Sequence, residues 1–413
     1  MKILIVSAFE KQGGAAMASN RLFESFKNQD DMTTQLMVRS KKSISSQIIE
    51  SHNIKNKVFN IIFYNITSKF YSKVLKMPSF SSGNWFPSVV LNKINESNVD
   101  IVNLHWINSE FISINQISKI KKPIVMTLHD MWAFCGGEHY SGPQDYYISG
   151  YPNLNDSDLR YKFNQSVWRR KYNNWKVPFY IVTPSSWLTD CAKKSALFKG
   201  WPIYTIPNVL NTDIFSPKKI VTSHIVEKNE CFIIGFGAIG GTLDSRKGFD
   251  LLLKSLELMK KKYSRKIKCL IFGQDKPANF PDVGFETIFT GHISNESELS
   301  IIYNAMDLMV VPSRLEAFGQ TASEAQSCGI PVVAFATTGL IDVVEHKKTG
   351  YLAKPFDCED LMNGIEFFYN IHNTSRYRMI KESARKRAVS LWSEQIINQH
   401  YKKLFNMVLN ERN

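Results

Sequence analysis

The segment with the clearest chemical content is Pro312-Ser313-Arg314-Leu315-Glu316-Ala317-Phe318-Gly319-Gln320-Thr321-Ala322-Ser323-Glu324-Ala325. It lies between an apolar run at 308–311 and Gly329-Ile330-Pro331. The apolar run reads as a strand, and the small residues after Gly319 read as a helix closed by Gly329. Gly319 permits close backbone approach. The amides of Phe318, Gly319, Gln320 and Thr321 collect at a helix start, where the dipole carries about half a positive charge. Such a turn suits a phosphate or a diphosphate. Glu316 precedes the turn, and Glu324 lies about one helical turn beyond it. Eight positions apart, the two carboxylates reach different parts of one elongated ligand. One suits sugar hydroxyls, the other a ribose diol, with the diphosphate between them.

Four further features carry polar chemistry. Asp244-Ser245-Arg246-Lys247-Gly248 precedes an apolar helical pattern; Arg246 and Lys247 there can neutralise a diphosphate, although the residues alone also read as an exposed basic turn. Gly13-Gly14 joins the first strand to the first helix and would admit a phosphate or sugar to the backbone, a weak signal in isolation because many turns use Gly-Gly. His129-Asp130 ends the apolar run 124–128: His129 reads as a partner for a sugar or as a packing histidine, and Asp130 as its orienting carboxylate or an acceptor contact. Gly136-Gly137-Glu138-His139-Tyr140 reads as an acceptor-side loop with Glu138 and His139 as its polar groups. Asp156-Ser157-Asp158 has the spacing of a cation-binding pair, but it sits in a polar stretch with no strand before it, so no metal site is expected.

Short apolar runs must position these groups. They recur at 3–7, 35–38, 101–105, 124–129 and 180–184, and again at 232–237, 269–273, 287–290, 308–312 and 331–335, with helical patterns at 249–262, 296–305, 321–328 and 360–370. This alternation predicts an α/β protein of two tandem doubly wound, Rossmann-like domains with parallel sheets. The domains are expected at 1–207 and 208–392. The Pro- and Asn-rich stretch 206–218 suits a hinge, and a last helix in 393–413 is a candidate to rejoin the first domain. A ligand cleft between the carboxyl ends of the two sheets is the default expectation.

Composition narrows the class. The 413 residues hold 44% apolar and 21% charged side chains, enough for sizeable cores. No apolar run has the ~20 residues of a bilayer-spanning helix, and the N-terminus lacks a secretory pattern. The six cysteines are scattered without metal-ligand spacing, which argues against zinc and a disulfide framework. These features predict a soluble cytoplasmic protein. Of the net charge of +14, residues 1–207 hold +11, from 25 basic and 14 acidic side chains. A basic first half suits an anionic partner as well as general solubility. Residues 55–76 combine five lysines with Phe59, Ile61, Ile62, Phe63, Tyr64, Phe70 and Tyr71; they read equally as a peripheral contact with an anionic membrane and as a helix packed on the first domain. Trp168-Arg169-Arg170-Lys171-Tyr172 is a second basic-aromatic cluster. No nucleic-acid-binding motif accompanies either.

Taken together, the chain resembles glycosyltransferase family 4. Two glutamates separated by seven residues in a strand–loop–helix setting look like the signature of retaining glycosyltransferases. Ile206-Pro207-Asn208-Val209 through Asp213, Phe215 and Pro217 resembles the family's interdomain signature, and 299–312, with Tyr303 and Asp307, its approach to the glutamate motif. Residues 339–344 and 349–352 match its later helix and turn. The first domain, with Gly13-Gly14 and His129-Asp130-Met131-Trp132, is similar to bacterial members that build surface polysaccharides. The resemblance implies the two-domain GT-B fold, a nucleotide-sugar donor as substrate, no obligatory cofactor or metal, and retention of configuration. It implies that Lys247 contacts the donor phosphates, Glu316 orients the donor sugar, Glu324 holds the ribose and His129 supports the transferred sugar. Many members carry an Arg directly after the strand glycine where this chain has Ala238, and Arg246 is the candidate replacement. The expected acceptor is an oligosaccharide, lipid-linked at the inner face of the cytoplasmic membrane, as in O-antigen, capsule or exopolysaccharide assembly. A nucleotide-sugar epimerase of the same fold and a non-catalytic nucleotide-sugar-binding protein are the alternatives.

Overall fold

The computed structural model describes residues 1–27, 29–51, 62, 65–67, 69–74, 81–154, 158–218, 231–237, 240–260, 263 and 267–411. Most of 55–76 therefore lies outside the described residues, as do Asp156, Ser157 and Ala238. The described chain divides into two compact units, Met1–Pro207 with Asn398–Asn413, and Asn208–Ile397.

The first unit is built on seven strands: β1 Lys2–Val6, β2 Thr33–Val38, β3 Ile48–Glu50, β4 Ile101–Leu104, β5 Ile124–Thr127, β6 Tyr180–Thr183 and β7 Ile203–Thr205. They pair in parallel in the order β3-β2-β1-β4-β5-β6-β7. Ile3 to Val6 are wholly buried, as are Ile101, Val102 and Leu104. Burial on both faces explains why these strands read as unbroken apolar runs. The strand order reverses between β1 and β4, the kind of switch point beside which open α/β sheets bind ligands. Phe9, Gly13, His105 and Trp106 follow the two strands there, and His129-Asp130 follow β5, the next strand.

The helix Gly14–Phe26 lays Leu22, Phe23 and Phe26 on this sheet. Phe26 meets Tyr401 and Phe405 edge-on at 6.0 and 6.1 Å. Both rings come from the helix Glu394–Asn410, whose Asn398 accepts a hydrogen bond from the Ser25 hydroxyl at 2.8 Å and donates to the Ser25 carbonyl at 2.9 Å.

The second unit has six parallel strands: β8 Phe232–Gly237, β9 Ile267–Phe272, β10 Glu286–Phe289, β11 Leu308–Val311, β12 Val332–Phe335 and β13 Gly350–Ala353, in the order β10-β9-β8-β11-β12-β13. Alternation along the strands sorts their side chains into two cores. Ile234, Val310, Val333 and Phe335 join Phe249, Leu252, Leu256, Leu361 and Ile365. Ile233, Met309, Val311 and Val332 join Ala322, Ala325, Leu340 and Trp392. The switch point falls between β8 and β11, and the Glu316–Glu324 segment leaves β11 there.

Three expectations need correction. The turn expected at 349–352 is β13, paired with β12 through Val333–Tyr351 and Ala334–Leu352. The helix Ser375–Trp392 was not anticipated, since its mostly charged surface hides a sparse apolar stripe of Tyr377, Ile380, Ala384, Ala388 and Trp392. Much of the stretch read as a hinge is anchored. Leu210 and Phe215 are buried in the second unit; the Leu210 amide donates to the Trp392 carbonyl at 2.8 Å, and Arg385 donates to the carbonyls of Thr212 and Phe215. The two apolar side chains override the loop-like composition around them. No described helix is long and apolar enough to cross a membrane.

Candidate functional site

In the second unit the structure brings Lys247 and Glu316 together. Lys247 ends a 3-10 turn, Ser245–Lys247, and its Nζ lies 2.6 Å from Glu316 Oε1. The same oxygen accepts the Ser313 hydroxyl at 2.9 Å. Glu316 is fixed through its backbone as well: its amide donates to Thr338 Oγ1 at 3.1 Å, and its carbonyl accepts from the Gly339 amide at 2.9 Å. Two loops far apart in sequence are thereby joined. The Arg314 amide donates to the Arg246 carbonyl at 2.7 Å, and its guanidinium grips Asp250 with two parallel bonds of 2.8 and 2.7 Å. Those bonds hold the Asp250 carboxyl below its usual range and raise the Arg314 guanidinium. The approach is close enough to demand glycine at 248, where φ is +69° and a Cβ would stand 2.0 Å from the Pro312 carbonyl oxygen.

Gly319, at φ +104°, caps the helix Gln320–Ser327, and a Cβ there would stand 2.8 Å from Leu340 Cδ2. Phe318 is buried edge-on against Trp392 at 5.9 Å, so its backbone is the part available to a ligand. Gln320 and Thr321 are half-buried in the first helical turn. Glu324 is 4% exposed and accepts the hydroxyl of the wholly buried Tyr303 at 2.7 Å. Arg246, expected to help neutralise the diphosphate, is paired within its own turn. It bonds Asp244 at 2.6 and 3.1 Å. Burial raises the Asp244 carboxyl, but the guanidinium outweighs it and holds the group below its usual range. A short arginine-to-aspartate span, two residues apart across the turn, favours that local pairing.

In the first unit, Gly13 at φ +88° caps the helix starting at Gly14. His129, half-buried, has its Nε2 2.9 Å from His105 Nδ1, and the rings stack at 5.2 Å. Burial drives the His129 imidazole down to about 4, against a smaller opposing pull from Asp130, and drives His105 well below its ordinary value. Both rings are therefore neutral at pH 7. Asp130 accepts from His139 Nδ1 at 2.6 Å, from Trp106 Nε1 at 3.2 Å and from the Trp132 amide at 2.9 Å. Burial opposes the charge on Asp130, yet His139 and these donors keep it below the usual carboxylate range. His139 Nε2 lies 3.0 Å from Ser82 Oγ.

The loop expected to meet an acceptor through Glu138 and His139 is largely internal. His139 is 4% exposed and supports Asp130. Glu138 accepts the Tyr151 hydroxyl, and burial raises its carboxyl. The basic-aromatic cluster at 168–172 is also partly internal. Lys171 is wholly buried, its ammonium on the carbonyls of Trp132, Cys135 (3.0 Å) and Gly136 (2.7 Å), and desolvation lowers it to about 7. Asp158 caps the helix Leu159–Asn174 and pairs with Arg160 at 2.9 Å.

Residues 238–387 match the family described as Glycosyl transferases group 1. That segment, just over a third of the chain, is what resembles the family. The chain's GT-B fold is shared with sucrose-phosphate synthase from Thermosynechococcus elongatus, at TM-score 0.68 and 17% identity over 99% of each chain. It is shared too with HepE from Anabaena, solved with UDP-glucose, at TM-score 0.65 and 15% identity over 98% of this chain and 100% of that one. Among curated relatives, the capsular polysaccharide biosynthesis glycosyltransferase CapM of Staphylococcus aureus is 26% identical over 255 residues, 53% of this chain and 65% of that protein. Across four such relatives the match spans from 33% to 67% of their own lengths.

Several supporting contacts escaped sequence reasoning. Tyr303 stands behind Glu324, Ser313 and Thr338 around Glu316, and His105 behind His129. His105 left a usable signal, because it follows β4 as His129 follows β5 on the neighbouring strand.

Proposed function

We propose that this chain transfers a sugar from a nucleotide-sugar donor to an oligosaccharide acceptor with retention of configuration. The observation that carries the reading is the Lys247–Glu316 pair, 2.6 Å apart on loops joined to one another, within the segment that matches the group 1 family. The donor diphosphate competes with Glu316 for the Lys247 ammonium. It is also held by the amides at Gly319, Gln320 and Thr321. Glu316, released from the lysine, accepts hydroxyls of the donor sugar, and Glu324 takes the ribose. His129 donates to the transferred sugar. The acceptor oxygen bonds to the anomeric carbon on the face from which the nucleoside diphosphate leaves. The bond from that carbon to the phosphate oxygen breaks with its electrons, and the acceptor proton passes to the departing phosphate. Charge stabilisation of that leaving group is the largest catalytic contribution.

Two observations support the acceptor class. CapM is named for capsular polysaccharide biosynthesis, and the first 207 residues carry +11. Both fit a lipid-linked acceptor presented on the cytoplasmic side of an anionic membrane.

The test is a thermal-shift screen of nucleotide-sugars on the full chain, followed by mass spectrometry of products with lipid-linked oligosaccharides. Sugar transfer that survives chelator, with lost transfer in Glu316→Gln, is the expected result. Conversion of a donor without acceptor would establish the epimerase reading instead, and binding without turnover across the acceptor panel would establish a binding protein.

A further inference from the structure

His105 is 6% exposed, and its Nε2 is buried without a hydrogen-bond partner. Its Nδ1 lies 2.9 Å from His129 Nε2. Two neutral imidazoles at that distance share one proton, and two arrangements are open. If His129 Nε2 carries the proton, His105 holds its own on Nε2, and a buried N–H is orphaned. If His105 Nδ1 carries it, the orphan at Nε2 is a lone pair. Orphaned buried N–H groups are rarer than under-satisfied acceptors, and a ring's tautomer is set by the hydrogen bond its other nitrogen makes. The second arrangement puts the remaining proton of His129 on Nδ1, for which no protein partner is found among the described residues.

We propose that His105 is a positioning residue: by donating Nδ1–H to His129 Nε2 it fixes the tautomer in which His129 Nδ1–H donates to a hydroxyl of the transferred sugar. The inference rests on the role given to His129 above. It adds a cause for that role, since an imidazole in the other tautomer would present a lone pair at Nδ1 and select a different hydroxyl orientation. Burial keeps both rings neutral, which the arrangement requires.

The experiment is long-range proton–nitrogen correlation NMR on the full chain labelled with ¹⁵N-histidine, with His129 assigned by its loss in His129→Ala. In the unsubstituted protein the His129 pattern should be that of the Nδ1–H tautomer. His105→Phe keeps a buried ring but removes the donor, and should move His129 toward the Nε2–H form and lower kcat about tenfold, the scale of one neutral hydrogen bond, with donor KM unchanged. His105→Asn places an amide N–H near the former Nδ1 and should restore both the tautomer and most of the rate. Melting temperatures of all variants separate misfolding from mispositioning, and His105→Asn carries the test if His105→Phe does not fold. A native His129 protonated on Nε2, or an unchanged pattern in His105→Phe, overturns the proposal. Turnover lost in His129→Ala but untouched in a tautomer-switched His105→Phe also overturns it, while leaving the transferase reading intact. Turnover unchanged in His129→Ala removes His129 from that reading instead.

Discussion

The two units place polar groups at comparable switch points but by opposite electrostatic means. In the second, the groups are charged and paired: Lys247 with Glu316, Arg246 with Asp244, Arg314 with Asp250. In the first, the central groups are neutral imidazoles, the buried His105 and the half-buried His129, beside the carboxylate of Asp130. The difference matches the ligand chemistry proposed above. A diphosphate is best met by cations held ready by exchangeable partners, because the ligand then replaces one anion with another. Sugar hydroxyls are met by oriented neutral donors, where full charges would carry a desolvation cost and add no direction.

Lys247→Ala should have the largest effect and is the direct way to break the comparison. Loss of one charge-stabilising donor at a leaving group lowers turnover by roughly two to three powers of ten. Initial-rate assays at saturating donor check it. The folded state should survive, because the pair is partly exposed, at 26% for the lysine and 13% for the glutamate. Near-normal turnover would place the phosphates elsewhere and make the ion pair a structural clamp.

Glu324 sharpens the charged side. Glu324→Gln keeps an acceptor for the Tyr303 hydroxyl, so stability should hold while nucleotide affinity falls about tenfold or more, the scale of one charge-assisted hydrogen bond. Glu324→Ala also removes an acceptor from that buried hydroxyl and should cost about 1–3 kcal/mol of stability. Calorimetric titration and thermal melts separate the two. Unchanged affinity in Glu324→Gln would leave the residue a scaffold for Tyr303.

What the sequence disclosed follows the same division. The Glu316–Glu324 segment was legible because a glycine-capped helix after an apolar strand is a local pattern, and ten of the thirteen described strands announced themselves as short, mostly apolar runs. The pairings were not legible. Lys247 and Glu316 are 69 positions apart, and the contacts that join their loops, Arg314 with the Arg246 carbonyl and with Asp250 and the approach of Gly248 to Pro312, are as far apart in sequence. Glu138 and His139 looked like accessible loop groups because nothing local reveals the aromatic and carbonyl shell that Tyr151, Trp132 and Lys171 build from distant positions. The strands β3 and β7 are three residues each and half-buried in places, too short to show a period.

Acid should separate the units. Burial leaves His129 neutral down to about pH 4 in the folded state, against an ordinary value near 6.5, and His105 shifts the same way. Between those values the unfolded chain binds more protons, so this stability is present above about pH 6.5 and is lost as pH falls toward 4. For His129 that amounts to about 1–2 kcal/mol between pH 7 and pH 5. The carboxylates Asp244 and Asp250 are held below their usual range, so their contribution fails only at lower pH. Seven of the eight tryptophans precede residue 208, so intrinsic fluorescence reports mainly on the first unit and should show denaturant midpoints falling from pH 7 to 5. His129→Gln should flatten that dependence; an equal slope in the variant would assign the acid sensitivity to other groups.

Arg246→Gln should do least. The guanidinium is one-third exposed and already bonded to Asp244 within its own turn, and a partly exposed local pair contributes on the order of 1 kcal/mol or less. Its loss should lower turnover at most about fivefold, far less than Lys247→Ala, with the Arg314 contact intact because that runs through the Arg246 carbonyl. A loss as large as that of Lys247→Ala would mean that the arginine leaves Asp244 for the diphosphate. Asp244→Asn would then raise donor affinity by releasing the guanidinium, and the charged region would hold two phosphate cations where the geometry now gives one.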